Sequence, residues 1–83
     1  MKILYFAWLR QTIGLAEEEI ERPSEVGTPA ELIDWLMERS PAHAAAFENR
    51  ESIRIAIDQT FAEPDDALAD ASEVAFFPPV TGG

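Results

Sequence analysis

The sequence predicts an α+β fold in which a mixed four- to five-stranded sheet packs on one main helix. The chain of 83 residues is 47% hydrophobic, which supports a single small core. One segment carries the N-terminal signals of a helix, and the clearest strand signal, an isoleucine alternation, comes after it. The elements therefore follow one another as strand, strand, helix, strand and strand.

The first two strands differ in their side-chain pattern. Residues 3–9 are apolar at both parities, which is typical of a central strand with one face on the core and the other face covered by something else. Residues 11–14, which end in Gly14, predict a turn. Residues 15–22 carry four glutamates around Ile20, a pattern that favours an edge strand whose charges discourage further pairing.

The main helix is predicted over residues 29–39. Thr28 is the N-cap, Pro29 takes the first helical position and Glu31 the third, which together form a capping box. Its core face is formed by four apolar residues at helical spacing: Leu32, Ile33, Leu36 and Met37. Pro41 ends the helix, and a short second helical turn is expected over residues 42–47.

Two further strands complete the sheet. Residues 53–57 alternate with period two, so the three isoleucines should face the helix, and residues 73–77 form the last strand. Two hairpin-like units joined by one helix favour a β-grasp, in which the first and last strands lie side by side and parallel. A ferredoxin-like fold would require a second long helix.

The charge of the chain excludes several partners. Sixteen Asp plus Glu against six Lys plus Arg give a formal charge of −10, and the basic residues are scattered rather than clustered. We therefore expect neither nucleic acid nor an anionic membrane as a partner. The apolar run at the N-terminus is too short for a signal peptide core or a membrane span, which predicts a cytoplasmic protein.

Side-chain chemistry offers no active site. The chain has no cysteine, and His43 is its only histidine, interpreted as a surface or helix-end residue. None of the four serines, Ser40 included, is expected to have a neighbouring base. Asp65 and Asp66 lack the spacing of a calcium loop, so an acidic solvated loop is the better interpretation and no metal site is predicted.

The end of the chain carries the functional signal. We divide the sequence into a domain at 1–77 and an extended tail at 78–83, because Pro78 and Pro79 cannot continue a strand and favour a stiff, extended backbone. Gly82 and Gly83 have no Cβ, so the tail can thread a narrow channel. Taken alone, two terminal glycines can equally be a frayed end.

Residues 70–83, DASEVAFFPPVTGG, resemble the end of the MoaD-type sulfur carrier family of the ubiquitin-like β-grasp superfamily, which is the small subunit of molybdopterin synthase. The resemblance covers the whole chain. It includes residues 2–7 with Arg10, residues 28–36, and residues 55–60. The chain departs from the family at residues 71–72, where glycine and aspartate are usual, and at Asp58, where asparagine is common. These departures concern only turn geometry.

The resemblance implies that Gly83 is the reactive residue. An activating enzyme would use ATP to adenylate its carboxylate, a sulfur donor would convert it to a thiocarboxylate, and the sulfur would pass to a cyclic pyranopterin monophosphate. The chain itself would bind no cofactor and would act as a sulfurtransferase subunit only with the large subunit, in an expected heterotetramer. The tail inserted into that subunit comprises Pro78, Pro79, Val80, Thr81 and Gly82.

The resemblance also implies a partner interface, which consists of Phe6, Arg10, Phe61, Phe76 and Phe77. Phe6 and Phe76 fit core packing equally well, whereas Phe61 favours the interface because it follows a polar turn. Three other functions stay open: a related carrier for thiamine thiazole synthesis or protein modification, an acidic β-grasp adaptor without covalent chemistry, and a small independent enzyme. Residues 76–81, FFPPVT, which precede the two glycines, favour the molybdopterin branch. The independent enzyme is disfavoured because the chain offers no set of catalytic side chains.

Overall fold

The computed structural model describes residues 1–79 and confirms the β-grasp. Five strands form one sheet in the order β2-β1-β5-β3-β4, where β1 and β5 are parallel and the other pairs antiparallel. The strands are β1 Lys2–Tyr5, β2 Glu17–Glu19, β3 Arg54–Ile57, β4 Thr60–Ala62 and β5 Glu73–Phe77. The helices are α1 Trp8–Ile13, α2 Pro29–Met37 and α3 Pro41–Ala46, followed by a 3₁₀ turn at Arg50–Ser52. The described residues contain no helix long and apolar enough to cross a membrane.

The predicted first strand is too long, and the helix that follows it is missing from the sequence prediction. β1 ends at Tyr5, and Ala7 bends the chain with φ +54° and ψ −130° before α1 begins. This bend turns Leu9 into the core, where its side chain is fully buried. The predicted turn at residues 11–14 is helical up to Ile13, and Gly14 ends α1 in the left-handed conformation with its N–H bonded to the Arg10 carbonyl.

The Thr28 N-cap of α2 is confirmed, whereas the return bond from Glu31 goes to the residue before the cap rather than to the cap itself. The Thr28 hydroxyl accepts the Glu31 backbone N–H at 3.2 Å, while Glu31 Oε1 accepts the Gly27 N–H at 2.9 Å. Leu32, Ile33 and Leu36 are buried as predicted, and Met37 is only partly buried at the last helical residue. α2 ends at Met37, two residues before the predicted end at residue 39. The predicted second turn is α3, and Ser40 caps it by accepting the His43 N–H at 3.1 Å.

The C-terminal half follows the prediction for β3 and β5 and adds one strand. Ile53 and Ile55 are buried, Ile57 packs partly buried against the core, and β5 has the predicted bounds. The sequence analysis predicts no strand at Thr60–Ala62, where the structure has β4. It pairs with β3 across a two-residue turn in which Asp58 and Gln59 both have positive φ. The sheet therefore has five strands, and β2 forms the acidic edge expected for residues 15–22.

The core lies between one face of the sheet and the helices. Ile3, Tyr5, Val74 and Phe76 project from the two central strands into a single buried cluster that also contains Leu36 and other helix residues. Aromatic rings occupy its middle: Phe47 and Phe76 meet edge to face, with ring centroids 5.0 Å apart. We call the opposite side of the sheet the open face.

Candidate functional site

The open face carries an apolar groove of about 580 Å³ that ends where the tail begins. Side chains alternate along each strand, so the residues between the buried ones point to this side. The groove is lined by residues of β1, β3 and β5 and their extensions: Leu4, Phe6, Ala56, Gln59, Glu73, Ala75, Phe77 and Pro78. The last two belong to the end of β5 and the first residue of the predicted tail, so the groove is continuous with the tail.

Three predicted interface residues meet on the open face. Phe6 and Phe77 line the groove together, and Phe6 is 48% exposed. Phe61 is 79% exposed, the largest value for a big apolar side chain in the described residues, and its ring lies 5.8 Å from that of Phe77. An isolated exposed phenylalanine needs no explanation, but three in one contiguous patch indicate a surface that another molecule covers.

Phe76 requires a correction. Its side chain is fully buried, and its ring lies in the aromatic core with Tyr5 and Phe47. Because successive side chains of a strand point to opposite faces, Phe76 must face the helices when Phe77 faces the groove. Phe76 therefore supports the sheet from behind and does not contact a partner.

The remaining predicted site residues are placed as follows. Arg10 is exposed on α1, which begins two residues after Phe6, and it is not among the residues that line the groove. Pro78 and Pro79 follow β5 and are half-buried. Val80, Thr81, Gly82 and Gly83 lie outside the described residues. The structure thus describes the first two residues of the predicted tail, and Gly83, the residue expected to react, lies beyond them.

The charges on the open face are unevenly distributed. At the end far from the tail, Lys2 Nζ lies 3.6 Å from Glu17, and its neighbours in register are Glu19 and Glu73. At the tail end the exposed residue opposite Phe77 is Arg54, which has no carboxylate within 4.0 Å among residues 1–79. The open face therefore has an acidic far end and, beside the first tail residues, a guanidinium that no carboxylate within residues 1–79 pairs.

His43 is buried and partnered, contrary to the sequence interpretation. Its side chain is 9% exposed, Nε2 lies 2.7 Å from Glu18 Oε2, and Nδ1 lies 2.7 Å from the Ser40 hydroxyl. Ser40 therefore does have a neighbouring base. Its oxygen, however, also caps α3, and the cluster lies on the helix side of the sheet and does not line the groove of the open face. The arrangement anchors the edge strand to α3.

Glu18 is the centre of that cluster. Burial opposes ionisation of its carboxyl, but hydrogen bonds from His43 and Tyr5 and the nearby charges of His43 and Arg39 outweigh it, so the pKa of Glu18 is lowered from 4.5. Burial and the bond to Glu18, in which the Tyr5 hydroxyl donates at 2.6 Å, raise the pKa of Tyr5 well above its ordinary value. No group of three or more potential metal ligands occurs within residues 1–79.

Sequence reasoning missed the floor of the groove, which consists of Leu4, Ala56 and Ala75. One signal was available. The first strand is apolar at both parities, and Ala56 and Ala75 occupy the alternate positions between large buried residues of β3 and β5. Small apolar residues at those positions make a flat surface that a partner can approach closely.

Comparisons with known proteins agree on one family. The model of the ThiS family matches residues 3–83. The chain is 36% identical to the molybdopterin synthase sulfur carrier subunit of Escherichia coli over 83 residues, covering 100% of this chain and 99% of the relative.

Two solved structures are similar over nearly the whole chain. One, from Pyrococcus furiosus, is provisionally assigned as molybdopterin converting factor subunit 1, with a TM-score of 0.75, 32% identity and 95% of each chain covered. The other is small archaeal modifier protein 1 from Haloferax volcanii, with a TM-score of 0.72, 26% identity and coverage of 96% of this chain and 97% of that one.

Proposed function

This chain belongs to the ThiS family, and we propose that it is the sulfur carrier of molybdenum cofactor biosynthesis, the small subunit of molybdopterin synthase. The observation that carries the proposal is the exposed apolar groove that runs directly into the Pro-Pro root of a Gly-Gly tail. A body that docks by this face would present its tail to whatever protein covers the groove.

The proposed chemistry uses the carboxylate of Gly83. A carboxylate oxygen attacks the α-phosphorus of ATP and pyrophosphate leaves, because a free carboxylate is a poor acyl donor without a good leaving group. The terminal sulfur of a persulfide on a donor protein then attacks the acyl carbon and AMP leaves, which gives an acyl disulfide. A second thiol of the partner cleaves its S–S bond, so the thiocarboxylate is released and the partner is left with a disulfide. These steps belong to partner proteins, so the chain itself needs no bound cofactor. The proposed use of ATP supports a cytoplasmic location.

The large subunit is the proposed occupant of the open face. Phe6, Phe61 and Phe77 would be buried against it while the tail enters its active site, and there the terminal sulfur would be transferred to the cyclic pyranopterin monophosphate. We expect two carriers and two large subunits in the complex. The activating enzyme needs the same tail, so the two partners should compete for this chain. Pull-down with one partner in excess should displace the other.

Protein modification is the second candidate function. The likeness to small archaeal modifier protein 1 favours it, because the same activated glycine can form an amide with a lysine of another protein. The two functions differ in the fate of the tail. Sulfur transfer releases the carrier with a free carboxylate, whereas modification leaves it attached to its target.

Intact-mass measurement tests the proposal. The chain is incubated with ATP, the activating enzyme and a sulfur donor, and we expect replacement of one oxygen by sulfur at Gly83. Deletion of Gly83, or one added residue after it, should abolish both the mass gain and dithiolene formation with the large subunit. Glu48→Gln, exposed beyond α3, is the matched control and should behave as the unaltered chain. Sulfur transfer by the deletion variant would refute the assignment of Gly83.

A further inference from the structure

The two ends of the apolar groove carry opposite charges. Glu73 lines the groove where β5 begins, and among residues 1–79 no cationic group lies within 4.0 Å of its carboxylate. Arg54 lies beside Phe77, where β5 ends, and within the same residues no carboxylate pairs with it. Four residues separate Glu73 from Phe77, so the two charges are on the order of 13 Å apart along the strands.

Neighbouring groups add to the negative end of the groove. The Asp58 carboxylate is held beside Glu73, because its Oδ1 accepts the backbone N–H groups of Ser72 and Glu73, each at 3.0 Å. Lys2 is in register with Glu73, but its ammonium pairs with Glu17 at 3.6 Å. The end of the groove where β5 begins therefore presents more carboxylates than cations.

The guanidinium at the positive end is available to another molecule. β4 ends at Ala62, one residue before Glu63, which is the position that would next face Arg54 across the sheet. The backbone turns there, and the Glu63 N–H donates to Asp66 Oδ2 at 2.8 Å. Arg54 itself is exposed. A partner can therefore reach its guanidinium without first breaking an ion pair within residues 1–79.

The apolar part of the groove does not distinguish its two directions. Its floor consists of the apolar side chains of Leu4, Ala56 and Ala75, which carry no group that recognises one direction. The chain leaves the sheet only at the Phe77 end, where it continues into Pro78. Charges that meet across an interface fix its register and disfavour wrong arrangements, because like charges repel.

We propose that Arg54 and Glu73 set the direction in which a partner covers the open face. The partner has an apolar surface with an acidic side chain facing Arg54 and a basic side chain facing Glu73. Under the proposed function, on which this inference rests, that partner is the large subunit of molybdopterin synthase. In the reverse direction the partner's acidic side chain would face Glu73 and its basic one Arg54, so both contacts would be repulsive.

A second copy of the chain is the competing occupant of the open face. Two open faces packed with their strands reversed would bring Arg54 of each copy to Glu73 of the other. Each copy, however, carries a formal charge of −10, and repulsion between two such bodies opposes this pairing. Sedimentation equilibrium of the chain alone should therefore give the mass of one copy.

Binding to the purified large subunit tests the proposal on the full chain. At low salt Arg54→Glu should weaken the complex roughly tenfold, mainly through slower association, because it places a like charge against the partner's acidic side chain. Arg54→Gln should have a smaller effect, and Arg54→Lys should keep the affinity of the unaltered chain. In 1 M salt, where the Debye length is about 3 Å, the differences should shrink to about twofold.

Glu73→Arg is compared with Glu48→Arg, which makes the same change in net charge at an exposed residue beyond α3. The two variants should lose the same amount of long-range attraction to a basic partner. Only Glu73→Arg opposes the partner's basic side chain, so its complex should be roughly tenfold weaker than that of Glu48→Arg. Arg54→Glu combined with Glu73→Arg keeps the net charge at −10 and should bind no more tightly than either single variant.

Carbodiimide cross-linking identifies the group that faces Arg54. The reagent joins a carboxylate to an amine in direct contact, so the amine introduced by Arg54→Lys should become linked to an aspartate or glutamate of the large subunit. Arg39→Lys is the matched control, because that arginine lies over Trp35 on the helix side, with 4.9 Å between its guanidinium carbon and the ring centroid. Its amine should give no link to the large subunit.

Any of four results would overturn the inference. Arg54→Glu could bind as tightly as the unaltered chain at low salt, Glu73→Arg could bind as tightly as Glu48→Arg, Arg54→Lys could give no link to a partner carboxylate, or the chain alone could sediment as two copies. Urea denaturation verifies that each variant is folded, and the Arg54 series decides if Glu73→Arg unfolds the chain. No complex between the unaltered chain and the large subunit would refute the proposed function as well, whereas a complex that ignores both charges refutes only this inference.

Discussion

Phe61→Ala separates binding from stability more sharply than any other substitution on the open face. The side chain is 79% exposed, so about one fifth of its roughly 200 Å² is buried in the free chain. At about 25 cal/mol per Å² that portion contributes about 1 kcal/mol to folding. The variant should therefore lower the urea midpoint by no more than about 1 M.

The effect on binding is larger because the remaining area of Phe61 is available to a partner. About 160 Å² at the same coefficient sets an upper limit of about 4 kcal/mol. Incomplete burial reduces this to about 1.4–3 kcal/mol, which corresponds to a roughly 10- to 100-fold weaker complex with the large subunit. The loss should appear mainly as faster dissociation.

Titration calorimetry and urea denaturation measure the two quantities on the same samples. Leu15→Ala is the matched control, because this leucine is 45% exposed but follows α1, whereas the Phe61 ring lies beside Phe77 of the groove. It should keep the affinity of the unaltered chain. If Phe61→Ala binds the large subunit as tightly as Leu15→Ala does, the open face is not the docking surface. A loss of 3 kcal/mol or more in folding stability would show instead that Phe61 is a core residue.

Three further substitutions test the fold that supports this face. Phe76→Ala removes a fully buried ring and should cost about 3–5 kcal/mol in unfolding free energy; a cost below 1 kcal/mol would contradict its place in the core. Ala7→Gly should stabilise the chain by about 1 kcal/mol, because φ is +54° there, and a lower thermal midpoint would contradict the strained bend. Glu18→Gln should lower the free energy of unfolding by its full amount above pH 4.5, the ordinary pKa of this carboxyl. The difference from the unaltered chain should shrink as the pH falls through the lowered pKa of Glu18 in the folded state. Urea titrations near pH 7 and about pH 3 measure this, and a pH-independent difference would count against the cluster.

Local signals in the sequence predicted the elements that depend on local chemistry. The Thr28 cap of α2, the end of that helix before Pro41 and the isoleucine alternation of β3 each depend on residues close in sequence, and each is present in the structure. Pro41 itself begins α3, one residue before the predicted start of the second turn. α1 was missed because a short run that is apolar at both parities fits a buried strand and a strand followed by a helix equally well. Only the bend at Ala7 and the burial of Leu9 distinguish them, and both depend on the packed core.

The site was predicted less completely because it depends on which side of the sheet each residue faces. Phe76 and Phe77 are equivalent by composition, and only the register of β5 beside β1 assigns one to the core and the other to the groove. His43 and Glu18 are 25 residues apart, so their contact has no local signature. The tail stays a prediction from sequence, because its last four residues lie outside the described part of the chain.

The acidity of the body and the apolar groove have to be considered together. An exposed apolar face on a small domain normally risks association of like copies. Here each copy carries a formal charge of −10, and mutual repulsion opposes pairing of two such bodies. A partner with a basic surface meets no such barrier and is attracted. Because Arg54 is the exposed cation beside the tail, that partner should also place an acidic group near its channel entrance. In the proposed complex the charge would therefore favour a partner with a basic surface, while the groove and the tail would determine how that partner binds.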